Sequence, residues 1–181
     1  MKNIFLIVFT FISFSSCSQE VSFEAIERKN EIIYIKGTDI PYTGKVASYY
    51  QSGKKSAEFS YVDGIENGIN RTWYANGQIS NETQIKNHKI NGLWIDWYEN
   101  GNKKNEVTYH EDYMFGHCTR WYENGRKSEE GDYKHCKENG FWTYWFENGQ
   151  KKSEGSFKEA NKTGKWTEWN ELGDIIKQES Y

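Results

Sequence analysis

The chain has 181 residues, enough for one ordinary domain, and a formal net charge of −3 with acidic and basic residues interspersed. That leaves no basic field for nucleic-acid phosphates and excludes a nucleic-acid binder. Hydrophobic residues are only 36% of the chain and aromatics 17%, with a mean hydropathy of −0.94, so a Leu/Ile/Val interior is excluded and rings must carry the burial.

The first predicted element is an address. Residues 1–16 hold one basic residue, Lys2, then an apolar run from Ile4 to Phe14. The run is too short to span a bilayer as a mature helix and right for a signal-peptide core. Phe14-Ser15-Ser16-Cys17 resembles the lipobox of a bacterial lipoprotein, with Phe14 where Leu is usual. The resemblance implies cleavage before Cys17, lipidation of its thiol and membrane anchoring by acyl chains. The alternative is a plain secretory signal with an incidental Cys. Cleavage removes Lys2 and takes the net charge from −3 to −4. Residues 17–43 then read as a lipidated N-terminus, a short linker and a capping strand in "NEIIYIKGTDIPYTG".

From residue 44 onward the chain repeats. Gly53, Gly77, Gly101, Gly125, Gly149 and Gly173 recur every 24 residues, and so do Gly44, Gly68, Gly92, Gly116, Gly140 and Gly164. Tyr49, Trp73, Trp97, Trp121, Trp145 and Trp169 stand four before the first series. Glu58, Glu82, Glu106, Glu130 and Glu154 stand five after it, with Gln178 in the last copy. Unbroken register over six copies marks a repeat architecture, with units at 44–67, 68–91, 92–115, 116–139, 140–163 and 164–181.

Each unit reads as a β-hairpin around Asn-Gly, a pair that tolerates positive φ. A two-residue loop would set Gly116 opposite Tyr133 and Trp121 opposite Ser128; an extra bulged residue would swap the faces of the second strand. One hairpin cannot bury its rings. Stacked hairpins can, with each Trp expected on the equivalent Trp of the next unit. The fold class is therefore all-β: an elongated single-sheet solenoid of six antiparallel hairpins. Its last strand is an open edge where a second copy would pair to give a homodimer.

The pattern G-x-W-x-x-W-Y-x-N-G-x-x-x-x-E-x-x-Y resembles the bacterial MORN repeat variant over residues 44–181. Proteins with it are often described as YwqK-family antitoxins of toxin–antitoxin systems. The resemblance implies a hairpin solenoid and, loosely, scaffolding, membrane association or toxin neutralisation. Val46, Tyr49 and Asn170 depart from it.

Departures from a repeat are where private function resides. The largest are "HEDYMFGHC" (His110 to Cys118) and His135-Cys136. Cys118 and Cys136 would form a disulfide if their Cα atoms lie within about 7 Å. Otherwise Cys118 is a small apolar residue at a Trp position and Cys136 lies in a loop. No metal-ligand spacing joins them to His110, His117 and His135, so no metal is expected. The Glu and Lys series reads as a solvated charge ladder, one copy per unit. With no unique constellation the expectation is no enzyme, no catalytic residue and no cofactor. The less regular rings Trp94, Tyr98, Tyr122, Trp142, Tyr144 and Trp166 are either core or a partly exposed binding platform. The expected role is a membrane-anchored, non-enzymatic protein of the bacterial cell envelope that binds an unidentified protein partner. The alternatives are an antitoxin or immunity protein against a toxin, and a glycan or phospholipid binder.

Overall fold

Residues 20–181 are described by a computed structural model; the leader 1–16 and Cys17 lie outside the described residues. The chain runs through β1 (Glu20–Ser22), a 3-10 turn (Phe23–Ala25), β2 (Ile26–Lys29) and β3 (Ile32–Ile35). The repeats follow as β4 (Gly44–Tyr49), β5 (Lys55–Val62), β6 (Ile65–Glu66), β7 (Gly68–Trp73), β8 (Ile79–Lys86), β9 (Lys89–Trp97) and β10 (Lys103–His110). They continue as β11 (Tyr113–Trp121), β12 (Lys127–Lys134), β13 (Lys137–Trp145), β14 (Lys151–Lys158), β15 (Asn161–Trp169) and β16 (Ile175–Ser180). From β4 to β16 the strands pair antiparallel in chain order, and β1 adds in parallel on β4. The result is all-β, one long open sheet of 14 strands among the described residues.

The two ends of the sheet differ. At the first, the β2–β3 hairpin lies on β4 and β5, burying Ile33, Tyr42, Val46 and Tyr61 against Val21, Ile26, Ile35 and Phe59. Backbone bonds from Ile33 N–H to the Gly64 carbonyl (3.0 Å) and from Gly64 N–H to the Tyr42 carbonyl (2.8 Å) fix it there. At the other, every residue of β16 is exposed.

Two kinds of turn alternate along the sheet. At Asn124-Gly125 the loop has three residues. Gly125 N–H donates to the Tyr122 carbonyl and Tyr122 N–H to the Arg126 carbonyl. Only Gly125 takes positive φ, +84°. This is a type I turn closed by a left-handed glycine, not the two-residue loop expected. Asn serves through its side chain instead: Asn124 Oδ1 accepts from Arg126 N–H (2.9 Å). The extra loop residue is cancelled by a bulge at Ser128. Trp121 pairs with Lys127, and Arg120 back to Gly116 pairs with Glu129 through Tyr133. The strand faces therefore stay as the shorter loop would give them. At the other margin the hairpins are joined by two-residue turns with both φ positive: Asn87-His88, Glu111-Asp112, His135-Cys136 and Glu159-Ala160. These are type I′ turns, whose twist matches that of the strands.

The second glycine series marks bulges. Val107 pairs with Cys118 and Tyr109 with Met114, so four steps on β11 oppose two on β10, and Gly116 lies inside the excess at φ +103°. A side chain there would be strained, which explains the repeated glycine.

The interior is a stripe on one face, not a stack of equivalent tryptophans. Equivalent residues lie two strands apart, about 9.6 Å, too far to touch. The stripe instead joins Val107, Cys118, Tyr133 and Trp142, with Tyr109, Met114, Tyr144 and Phe157 packed against them. The in-phase tryptophans are on the opposite face, only part-buried. There Lys103, Lys127 and Lys151 place their ammonium groups 5.8–5.9 Å over Trp121, Trp145 and Trp169. Each of these lysines also pairs with the glutamate three residues on: Glu106, Glu130 and Glu154. The charge ladder thus has exposed lysines and part-buried glutamates, and is tied to the rings. Each cation–π contact contributes about 0.5–1 kcal/mol at such a site.

Candidate interaction surface

The rings expected to form a platform are mostly engaged in the fold. Trp142 is 1% and Trp166 3% exposed. Their indole N–H groups donate to the carbonyls of Asp132 (3.2 Å) and Ser156 (3.1 Å). Tyr144 is half-buried and stacks on Trp142 at 5.9 Å. Trp94 donates to Asp96 Oδ2 (2.8 Å), a carboxylate that also accepts from Asn81 and Asn105.

Tyr98 and Tyr122 are inter-repeat struts. Tyr98 Oη donates to the Trp121 carbonyl (2.8 Å) and Tyr122 Oη to the Trp145 carbonyl (2.6 Å). Tyr50 and Tyr74 do the same toward Trp73 and Trp97. The turn asparagines add a second tie. Asn76, Asn100, Asn124 and Asn148 each donate 2.8–3.0 Å to the carbonyl of the next unit's turn glutamate.

The structure keeps the two cysteines apart and free. Cys118 is fully buried. Burial pushes its thiol up to about 11, against a smaller opposing pull from Arg120. Cys136 sits exposed in a type I′ turn, its Sγ accepting from Met114 N–H (3.3 Å). Met114 is four residues along β11 from Cys118, about 13 Å at strand rise, beyond disulfide reach. Among the described residues no group of three His, Cys, Asp or Glu side chains is placed to hold a metal ion. His117 bonds to Asp132 (3.1 Å) and to Thr119 (3.2 Å). That order resembles a relay, but Thr119 is 7% exposed and its neighbouring strand amides are spent on the sheet ladder rather than aimed at a reacting oxygen.

Three segments match the MORN repeat variant: residues 66–87, 90–111 and 138–159. No curated protein matches the chain at a significant level. Each MORN-matched segment covers one hairpin, β7–β8, β9–β10 or β13–β14, and ends on the first residue or two of a type I′ region.

The hairpin between the second and third MORN matches, β11–β12, carries the residues that sequence reasoning passed over. Tyr113 is 56% and Phe115 45% exposed, and Phe141 on β13 is 58% exposed. Phe115 lies 5.7 Å from the His135 ring and 6.4 Å from His110, and Tyr113 lies 6.5 Å from His135. The signal was available. Phe115 stands where the other units have Asn67, Asn91, Asn139 and Thr163, and Tyr113 where they have Ile65, Lys89, Lys137 and Asn161.

Proposed function

We propose that this is a non-enzymatic, lipid-anchored protein of the bacterial cell envelope whose MORN-type sheet docks a protein partner on the patch Tyr113, Phe115 and Phe141. One observation carries the reading. At Phe115 a half-exposed ring replaces the Asn or Thr that every other unit uses, and Tyr113 and Phe141 add exposed rings on the same and a nearby strand. Folding gains little from a half-exposed Phe where Asn serves elsewhere, whereas an exposed aromatic cluster is what an interface anchor requires. MORN repeats often act as protein- or membrane-interaction modules, which fits an exposed sheet face. The lipobox resemblance at Cys17 supplies the anchor. A toxin arriving from outside the cell is the partner under the antitoxin or immunity form of this reading. The exposed β16 favours a further contact, a homodimer by edge pairing; a strict monomer by light scattering at high concentration would count against it.

The test is cross-linking of the intact protein in its native cells, followed by mass spectrometry. Phe115→Asn and Tyr113→Lys install residues the repeat already uses, so the fold is kept. Loss of one dominant captured protein in these variants is the expected result. Its identity, and rescue of cells from its toxicity, separates immunity from scaffolding. Capture unchanged by both substitutions would sink the patch.

A further inference from the structure

A second surface lies at the other end of the stripe. Tyr144, Phe157 and Trp166 floor an open groove of about 250 Å³, with Ser153, Lys152 and Lys162 at its rim. Tyr144 and Trp166 incline toward each other with centroids 6.5 Å apart, and Phe157 meets Trp166 edge-on at 4.8 Å. Lys162 places its ammonium 4.2 Å over the Trp166 ring and 5.5 Å from Tyr181. Lys152 lies 5.8 Å over Phe146.

The two ammonium groups lack the carboxylate that the in-phase lysines have, as does Lys104, the equivalent of Lys152, over Tyr98; they stand out in sharing one aromatic groove. Lys103, Lys127 and Lys151 each have a carboxylate. Among the described residues none lies within ion-pair distance of Lys152 or Lys162. Glu179, whose carboxylate feels Lys162 from beyond ion-pair distance, is held by Lys177 (2.9 Å) and by the Tyr181 hydroxyl (2.6 Å), and Glu168 lies beside Lys152 on the neighbouring strand without pairing with it. An aromatic face satisfies an ammonium electrostatically but leaves its N–H donors free.

The geometry points to a binding site for a uronate-bearing polysaccharide, taken one sugar ring at a time. The rings offer faces for the C–H side of a sugar. Ser153 offers a hydroxyl, and the unpaired ammonium groups offer charge-assisted hydrogen bonds to a carboxylate. Size and openness select a chain over a small free ligand. Sites for small molecules are enclosed and run from about 300 to 1,000 Å³, whereas this groove is smaller and open along the sheet.

The probe is trigalacturonic acid, with its methyl-esterified trimer as the neutral control. Binding to the full chain is read by calorimetry and tryptophan fluorescence at low salt. The acid is expected to bind, and the ester to bind about tenfold to a hundredfold more weakly, as loss of charged hydrogen bonds implies. Lys162→Met keeps the stem over Trp166, and Lys152→Met alters an exposed side chain. Both variants are expected to stay folded, with no more than the small loss of one cation–π contact, and to lose the acid's advantage. No binding of the acid, equal binding of the ester, or undiminished binding by the Lys152→Met variant would each overturn the assignment. None of these outcomes touches the patch at Phe115.

Discussion

Trp142 lies flat on Gly131, so close that a Cβ at 131 would fall inside the indole. Trp166 lies on Gly155 in the same way. One unit earlier, Val107 replaces the glycine, and the ring gives way to Cys118, its cross-strand partner. The chain therefore fills one pair of positions in several ways, among them glycine under tryptophan, valine beside cysteine and Thr83 opposite Trp94. Gly131→Ala is expected to cost about 1–3 kcal/mol, the range for overpacking a core. Gly131→Val combined with Trp142→Cys copies the native alternative and should cost less than the sum of the single changes. Urea denaturation of the four proteins of that cycle measures the coupling; simple additivity would contradict the compensation.

The tyrosine struts make a second prediction. Tyr122→Phe removes one hydrogen bond and leaves the Trp145 carbonyl with one acceptor site unmet. The loss should be about 0.5–1.5 kcal/mol, read from the same denaturation experiment. The chain itself uses Phe146 at the next such position, so the variant should fold. A melt unchanged within error would mean that water replaces the strut at no cost.

Glu58 gives the pH dependence a definite sign. It is 5% exposed. Burial works to raise its carboxyl, but hydrogen bonds from Lys45 (2.5 Å) and Lys55 (2.6 Å) outweigh burial, and the net shift is downward from the ordinary 4.5. A lowered folded value means that its contribution is complete above 4.5 and is lost as pH falls through the folded value. Stability at the capped end should therefore drop below pH 4.5, and Glu58→Gln should flatten that drop while lowering stability at neutral pH. Parallel acid titrations of parent and variant, differing only by an offset, would refute this.

The thiols should part in reactivity. Iodoacetamide at about pH 8 is expected to modify Cys136 in the folded protein and Cys118 only after unfolding, because the thiolate is the nucleophile and burial withholds it. Peptide mapping with and without denaturant reads the difference. Equal labelling under native conditions would mean that the Cys118 stripe opens readily.

The sheet was legible in the sequence because its determinants recur with a 24-residue period. Glycine spacing marks the hairpins; the pairing of Gly116 with Tyr133 is one of two registers the sequence left open, and the bulge at Ser128, not a two-residue loop, produces it. Which tryptophans are buried was not legible. Rings at the in-phase positions and at the Trp94, Trp142 and Trp166 positions are equally apolar as letters; Trp142 and Trp166 are buried on Gly131 and Gly155, whereas Trp94 opposes Thr83 and is only part-buried. The Asn-Gly reading missed because asparagine can serve a turn by backbone or by side chain. Here Asn124 uses its side chain twice, toward Arg126 and toward Glu147. The type I′ turns were hidden because four of them carry no glycine at all. The exposed rings were half legible: the stretch around Phe115 departs from the repeat, but its histidines and cysteines are the commoner marks of chemistry.

Those turns yield an opposed pair of substitutions. Ala160 holds φ +67° in the turn after Glu159 and donates its N–H to the Glu138 carbonyl (2.9 Å). Gly64 occupies the equivalent place at φ +76° in the first such turn. An L-residue in this region costs about 1–2 kcal/mol. Glycine gives back part of that relief, about 0.5–1 kcal/mol, through the greater freedom it loses on folding. Ala160→Gly should therefore stabilise by about 0.5–1 kcal/mol. Gly64→Ala reverses the sign and adds a collision, since its Cβ would meet the Ile32 side chain and the Ile33 carbonyl of the capping hairpin. Its loss should be clearly larger than the gain at 160. Thermal melts of both variants decide between two accounts. Changes equal in size and opposite in sign would mean that backbone conformation alone matters. A larger loss at Gly64 means that the capping hairpin is pressed against that turn and depends on its having no side chain.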